Sequence, residues 1–286
     1  VRRLLGKYQK AKRIQNRKIK MDRGYIYLNK KSFIHNLEVL KNLSRKELCL
    51  VVKANAYGHG LEWAVKNANA SGIKWFAVAS VDEGMQVKKV YKESRVLLLA
   101  EPSKIQLENI KENDIDLTVY NESFIDTLIE TGDEYSVHLK IDTGMHRLGC
   151  PPEKFYDLYK KIVDSDLNLI GICTHFPMAD TDETETKKSI ELFEKTISDI
   201  DSTNMLLHVD NSASTLYKLD NSFNMARVGI AAYGVQITAV ENENELIPTM
   251  EIKTRISNLQ VRKKGEAVSY GKAQRPVSYT HLRAHE

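Results

Sequence analysis

Eight short apolar runs, amphipathic stretches set between them, and reactive side chains gathered where the runs end predict an α/β fold. Near-continuous apolar strands alternating with amphipathic helices mark parallel strands covered on both faces. Eight such units point to a closed (β/α)8 TIM barrel, with an open doubly wound sheet as the structural alternative. The 286 residues suffice for one such barrel and little more.

The elements follow one another in a regular order. KSFIHNLEVLKNL (31–43) has helical periodicity and leads into the first strand, LCLVVKA (48–54). Helix LEWAVKNANA (61–70) then precedes strand WFAVAS (75–80), and helix VDEGMQVKKVY (81–91) precedes RVLLLA (95–100). Strand DLTVY (116–120) is followed by helix NESFIDTLIE (121–130) and strand SVHLKID (136–142). Helix PEKFYDLYKKIV (152–163) precedes LIGICTH (169–175), and helix DETETKKSIELFEKTISDI (182–200) precedes MLLHVD (205–210). ARVGI (226–230) is the eighth strand. The helices show the 3.6-residue period, and the strands are runs of Val, Ile and Leu.

After Tyr233 the pattern changes. EIKTRISNLQVRKKGEAVSYG (251–271) alternates apolar and polar residues, as an antiparallel β-domain would at its start. The expected organisation is a basic arm (1–22), a barrel (23–240), the start of a truncated C-terminal β-domain (241–275) and a non-native tail (276–286). That tail, PVSYTHLRAHE, resembles a translated adaptor sequence and is set aside from the fold.

Composition fits a water-soluble globular chain, with 42% apolar and 28% charged residues. The net charge of +4 is unevenly placed: the first twenty residues hold nine Lys or Arg and no acid, so the rest is net acidic. The arm reads as a solvated leader, as a cytoplasmic juxtamembrane segment behind a membrane tether N-terminal to this chain, or, least well, as a nucleic-acid contact. One aromatic, Tyr8, and no recognition motif argue against nucleic acid. No run of 18 apolar residues and no signal-peptide core occurs, so a cytoplasmic location is expected, either alone or as the inner domain of an anchored protein. Cys49, Cys150 and Cys173 are odd in number and lack metal-ligand spacing, so reduced thiols and no metal are expected.

Barrel enzymes place their chemistry at the C-terminal strand ends. Here those ends carry Lys53, then Lys140, Asp142 and Arg147, then His175, then Ser212, then Arg227 with Gly229 and Ile230. An amine at the inner end of a strand loses its proton or finds a partner. A hydroxyl and backbone amides after the seventh and eighth strands suit a phosphate dianion. Pyridoxal phosphate meets both demands: its aldehyde needs an unprotonated amine and its phosphate needs a cradle.

VVKANAYGHG (51–60) resembles the cofactor-lysine signature of the alanine racemase family, the fold-type III pyridoxal phosphate enzymes. KIDTGMHRLG (140–149), THFPMAD (174–180), HVDNSAS (208–214), ARVGIAAYGV (226–235) and AVSYG (267–271) are similar to further blocks in the family's order. The basic arm and the IDTGMHRLG spelling are similar to the membrane-anchored serine/alanine racemases of vancomycin-resistance clusters.

The resemblance implies an isomerase that interconverts L- and D-alanine, or L- and D-serine, and supplies D-amino acid for peptidoglycan as a homodimer. It implies that Lys53 holds the cofactor and is one base, with Tyr270 the opposite base, serving the partner subunit's site. Tyr57, Ser212, Gly229 and Ile230 would bind the phosphate, with Asn211 beside them. Arg227 would meet the pyridine nitrogen, supported by His175. Arg147 would meet the ring hydroxyl and the substrate carboxylate. Lys140 would be carbamylated to hold Arg147. Inverting an α-carbon requires proton removal on one face and delivery on the other, which explains two bases. An arginine with pKa above about 12 keeps its proton and leaves the ring nitrogen neutral, which favours racemisation over transamination.

Plainer readings stand beside these: a buried Lys140–Asp142 ion pair, a core His175, a structural Arg227, an N-cap Ser212 and an ordinary strand tyrosine at 270. At the level of function, the rivals are a cofactor-homeostasis barrel, which lacks AVSYG, a fold-type III decarboxylase, which places an acid where Arg227 stands, and a ligand-holding sensor at a membrane. Because the β-domain after Tyr270 is absent or replaced, the chain as given is expected to be inactive or weak.

Overall fold

The computed structural model describes residues 24–219, 221–237, 246–260, 263, 265–267 and 270–272. The chain divides into two compact units, one spanning Leu28–Glu251 and one made of Val1–Tyr27 with Ile252–Glu286. The basic arm (1–22) and the tail (276–286) lie outside the described residues.

The larger unit is the expected barrel. In chain order its elements are α1 (Lys30–Ser44), β2 (Glu47–Val51), α2 (Leu61–Asn69), β3 (Trp75–Val78), α3 (Val81–Val90), β4 (Arg95–Leu98), α4 (Leu107–Glu112), β5 (Asp116–Val119), α5 (Glu122–Thr131), β6 (Ser136–Lys140), α6 (Phe155–Val163), β7 (Asn168–Cys173), α7 (Glu183–Ile197), β8 (Leu206–Asp210), α8 (Ser212–Tyr217) and β9 (Met225–Val228). Strands β2 to β9 pair in sequence order, all parallel, and β2 closes on β9. The short helix α4 carries too little periodicity to show in the sequence; α8 is the helix that an N-cap Ser212 would start, but its cap is Asn211 and Ser212 is its first residue.

Local chemistry starts the helices. The Asn29 side chain accepts from the N–H groups of Lys31 and Ser32 ahead of α1, whose stripe of Phe33, Leu37 and Leu40 is buried. Ser80 caps α3 and Asp182 caps α7 in the same way. Asn211 and Ser214 form a reciprocal capping box at α8.

Strand alternation builds two cores. Outward residues such as Leu48, Leu50, Phe76, Val78, Val96, Leu98, Leu117 and Leu139 pack with the helices. Inward residues Cys49, Val51, Trp75, Ala77, Leu97 and Met225 form a separate cluster in the barrel. That interior also holds charge and polar groups. Arg95 donates to Asp116 through Nε and Nη2, at 3.2 and 2.8 Å, and its guanidinium lies 4.7 Å from the Trp75 ring centre.

Two further strands, β1 (Gly24–Leu28) and β10 (Met250–Thr254), pair as a two-stranded sheet. The sequence reading places strand structure in the β10 region but has none at β1. Ile252, Ile256 and Leu259 are exposed. Tyr270 begins a short 3-10 turn, Tyr270–Lys272, with its side chain 99% exposed. Val268 and Ser269 of the AVSYG block lie outside the described residues.

Candidate active site

A cavity of about 550 Å3 opens at the C-terminal ends of the barrel strands. Lys53, Tyr57, Lys140, Arg147, His175, Asn211, Ser212, Arg227, Gly229 and Ile230 all line it. The topology therefore brings together every site residue expected from the barrel. Tyr270 belongs to the other compact unit.

Lys53 differs from the expectation of a buried lysine inside a strand. β2 ends at Val51, and Lys53 stands two residues further on, half-buried. Behind it the chain makes a left-handed turn: Ala54, Asn55, Ala56 and Tyr57 have φ of 52, 53, 56 and 51°. Each L-residue there costs about 1–2 kcal/mol. The turn is held from outside. Glu83 accepts from the Asn55 N–H at 3.3 Å and from the Ala79 N–H at 3.0 Å. The Asn55 side chain accepts from the Leu61 N–H at 2.8 Å, tying the turn to the start of α2. Gly58 and Gly60, with φ of 82 and 92°, let the chain leave.

The Ser212 hydroxyl accepts from the N–H groups of Gly229 at 3.0 Å and Ala231 at 3.3 Å. The Gly229 amide, expected to face a phosphate, is thus engaged by Ser212 here. Ile230 opens a 3-10 turn (Ile230–Tyr233), so its N–H has no carbonyl of that turn to donate to. A Cβ added to Gly229 would stand 2.6 Å from the Tyr57 hydroxyl oxygen, so the glycine leaves room for that side chain. The Asn211 side-chain oxygen caps α8, accepting from Ala213 and Ser214.

Arg227 is 7% exposed and held by close acceptors. Its Nη1 donates to His208 Nδ1 at 2.6 Å and to the His208 carbonyl at 2.5 Å. Its Nη2 donates to the Thr174 carbonyl at 2.5 Å. His175 Nδ1 stands 3.5 Å from Nη2, at the limit of a hydrogen bond. The main imidazole support is therefore His208, not the expected His175. The Nε–H has no protein partner among the described residues. Burial, then the neighbouring guanidinium, lowers the His175 pKa to about 3 and holds His208 well below the usual range.

Lys140 is buried and donates to the Leu148 carbonyl at 2.9 Å. It makes no ion pair with Asp142, whose carboxylate accepts from the Gly144 and His146 N–H groups at 3.0 and 3.1 Å. Burial lowers the Lys140 pKa. Arg147 keeps an exposed guanidinium with no protein partner among the described residues. With Lys53, Lys140, Arg147 and Arg227 on its walls and Asp180 as the single acid among the lining residues, the cavity suits an anion.

Sequence reasoning missed Glu83, Tyr233, His138 and His208. The Tyr233 hydroxyl donates to the Val51 carbonyl at 3.1 Å, and its ring packs on Tyr57 with centroids 5.3 Å apart. His138 and Lys140 are two residues apart on one strand and so share its inner face, which is a signal the sequence carries.

Fold and cavity define the class: an α/β-barrel enzyme domain whose catalytic rim gathers an amine, two guanidinium groups and an anion cradle. Residues 28–237 match the family described as alanine racemase, N-terminal domain, and the chain belongs to that family. It is 34% identical over 247 residues to an alanine racemase of Treponema denticola, covering 82% of this chain and 65% of that protein. The chain thus spans just under two thirds of that relative. The structure of a biosynthetic alanine racemase from Pseudomonas aeruginosa superposes with a TM-score of 0.83 at 26% identity, covering 90% of this chain and 73% of that one. A histidine racemase from Leuconostoc mesenteroides subsp. sake gives 0.79 at 26% identity, covering 89% and 72%. Among the described residues, no helix is long and apolar enough to cross a membrane.

Proposed function

We propose that this chain is the barrel domain (23–240) of a pyridoxal phosphate-dependent racemase that interconverts the enantiomers of alanine, or of serine, at the head of the cavity. Family membership carries the reading, and one observation localises it: Lys53, Arg227, Ser212 and Tyr57 line a single cavity. A solved neighbour in this fold is named for histidine, so the fold alone does not set the amino acid.

The residues present fit the cofactor. The hydroxyls of Tyr57 and Ser212 and the Ile230 N–H would hold a phosphate; Gly229, whose own N–H is given to Ser212, would serve by leaving that corner free of a side chain, with the Asn211-capped start of α8 behind it. The unmatched Nε–H of Arg227 offers a donor to a ring nitrogen. Lys53 supplies the amine.

When bound, pyridoxal phosphate supplies an electron sink that stabilises the negative charge left on an α-carbon after its proton is removed. Lys53 moves that proton on one face. Tyr270, in the second unit, serves the opposite face in a partner subunit of a homodimer. A guanidinium has donors only, so Arg227 would give the ring nitrogen a hydrogen bond and not a proton. Arg147 holds the substrate carboxylate. Lys140, as a neutral amine, adds carbon dioxide and releases a proton; the resulting carbamate is an anion that orients Arg147. The residues after 240 begin a C-terminal β-domain, and D-amino acid for cell-wall synthesis is the product, made in the cytoplasm.

The test is incubation of the chain with pyridoxal phosphate and L- or D-alanine, then serine, in D2O. Deuterium at the α-carbon, lost in a Lys53→Ala variant, is the expected result. Exchange is expected to be slow in this chain; a chain that binds no pyridoxal phosphate, or exchange that persists unchanged in the Lys53→Ala variant, would contradict the proposal.

A further inference from the structure

We propose that His138 is a positioning residue for this reaction: through His208 it fixes the orientation of Arg227 at the cavity floor. The inference rests on the cofactor reading above.

The hydrogen bonds set the protons. A guanidinium has donors only. His208 Nδ1, 2.6 Å from Arg227 Nη1, must therefore present its lone pair. A neutral imidazole carries one N–H, so in His208 it is on Nε2. That atom lies 2.8 Å from His138 Nδ1, which must then accept. His138 in turn carries its proton on Nε2. This last N–H is buried and has no hydrogen-bond partner among the described residues. Thr118, the register partner of His138 on β5, also has a buried hydroxyl without a partner among the described residues and lines the cavity. The ring of His138 stands edge-on to Trp75, with centroids 5.9 Å apart at 88°.

The backbone makes room for this pair. The β6–β7 register shifts between Val137 and His138. The β8–β9 register shifts between His208 and Asp210. β7 runs between the two histidine strands and carries Gly171 there; a Cβ on it would stand 2.3 Å from His138 Nδ1. Two irregularities and a side-chain-free residue thus converge on one hydrogen bond in a barrel interior otherwise rich in apolar residues.

The consequence is at Arg227. With Nε2–H tied to His138, the His208 ring cannot turn, and both its nitrogens are committed. Arg227 is then held through Nη1 and Nη2, which leaves Nε–H toward the cavity. Burial keeps both histidines neutral, with Arg227 acting on both and Arg95 on His138 in the same direction.

Two measurements test this on the 286-residue chain. The first needs no cofactor: side-chain 15N NMR of the histidines. Both His138 and His208 should carry their proton on Nε2, with a correlation across the hydrogen bond, and neither should titrate between about pH 5.5 and 8. A His208 protonated on Nδ1 would overturn the proposal. The second compares His138→Leu with His138→Asn, which keeps an acceptor, by pyridoxal phosphate titration and the pH dependence of the bound cofactor's absorbance. The Leu variant should bind about 5- to 10-fold more weakly and acquire a pH-dependent spectrum, while the Asn variant stays within about 2-fold of the parent. A folded Leu variant with parental affinity and spectrum would overturn the role, and failure of the Leu variant to fold leaves the Asn variant and the tautomers to decide it. If the unmodified chain binds no cofactor, the functional proposal fails and the role of His138 with it, while the tautomers still report the hydrogen bonds independently.

Discussion

The Tyr57 hydroxyl occupies the space beside Gly229 that a side chain would take: an added Cβ would lie 2.6 Å from its oxygen and 3.2 Å from the ring carbon that bears it. Two residues 172 positions apart in sequence thus shape one corner of the cavity, at the ends of β2 and β9, the pair that closes the barrel.

Gly229→Ala should push Tyr57 outward without unfolding the barrel, because that side chain is 37% exposed and can swing. Pyridoxal phosphate affinity should fall by about 10-fold, the loss of one hydrogen bond to a charged group. Tyr57→Phe should give a similar loss, and the double variant should add little to either. Cofactor titrations of the three variants check this; additive losses would mean that the two residues act separately.

Glu83 ties the strained turn behind Lys53 to the segment after β3, one carboxylate oxygen accepting from the Asn55 N–H and the other from the Ala79 N–H. Glu83→Ala leaves the exposed Asn55 and Ala79 N–H groups to water and should cost about 1 kcal/mol. Urea unfolding should show a lower midpoint with an unchanged slope. An unchanged midpoint would mean that the turn is held by its own hydrogen bonds alone.

The barrel's histidines give it a pH signature. His138 and His175 are lowered to about 3 from the usual 6.5, chiefly by burial, and His208 is lowered as well. The unfolded chain therefore binds more protons below pH 6.5. The stability they contribute is complete above that pH and is lost as pH falls, at about 1.4 kcal/mol per pH unit for each. Asp116 works against this: burial raises it to about 6, only partly offset by Arg95, so it contributes more as pH falls toward 4. Three groups outweigh one. Unfolding free energy should drop steeply between pH 6.5 and about 4.5, and a flat profile there would show that these imidazoles are not held neutral.

The barrel itself was legible because its strands are apolar on both faces and its larger helices are periodic. LCLVVKA, WFAVAS and MLLHVD all begin within a residue of the observed β2, β3 and β8. β1 was not legible: GYIYL reads as a short segment after a basic arm, and only its pairing with β10 defines it. The cavity-lining residues were readable because each stands just past a strand, where barrel topology gathers them. The supports were not. Glu83 lies on α3, far in sequence from the turn it holds, and His208 reaches Arg227 only through the parallel pairing of β8 with β9. Likewise, His175 follows its strand as expected, but a 3.5 Å contact leaves it the weaker partner.

Borohydride reduction of the chain with pyridoxal phosphate, followed by digestion and mass spectrometry, tests the central claim most directly. A pyridoxyl group on the peptide containing Lys53, and absent from the one containing Lys140, is the expected result. A folded, cofactor-treated sample with no tag, or with the tag at Lys140 instead, would contradict it.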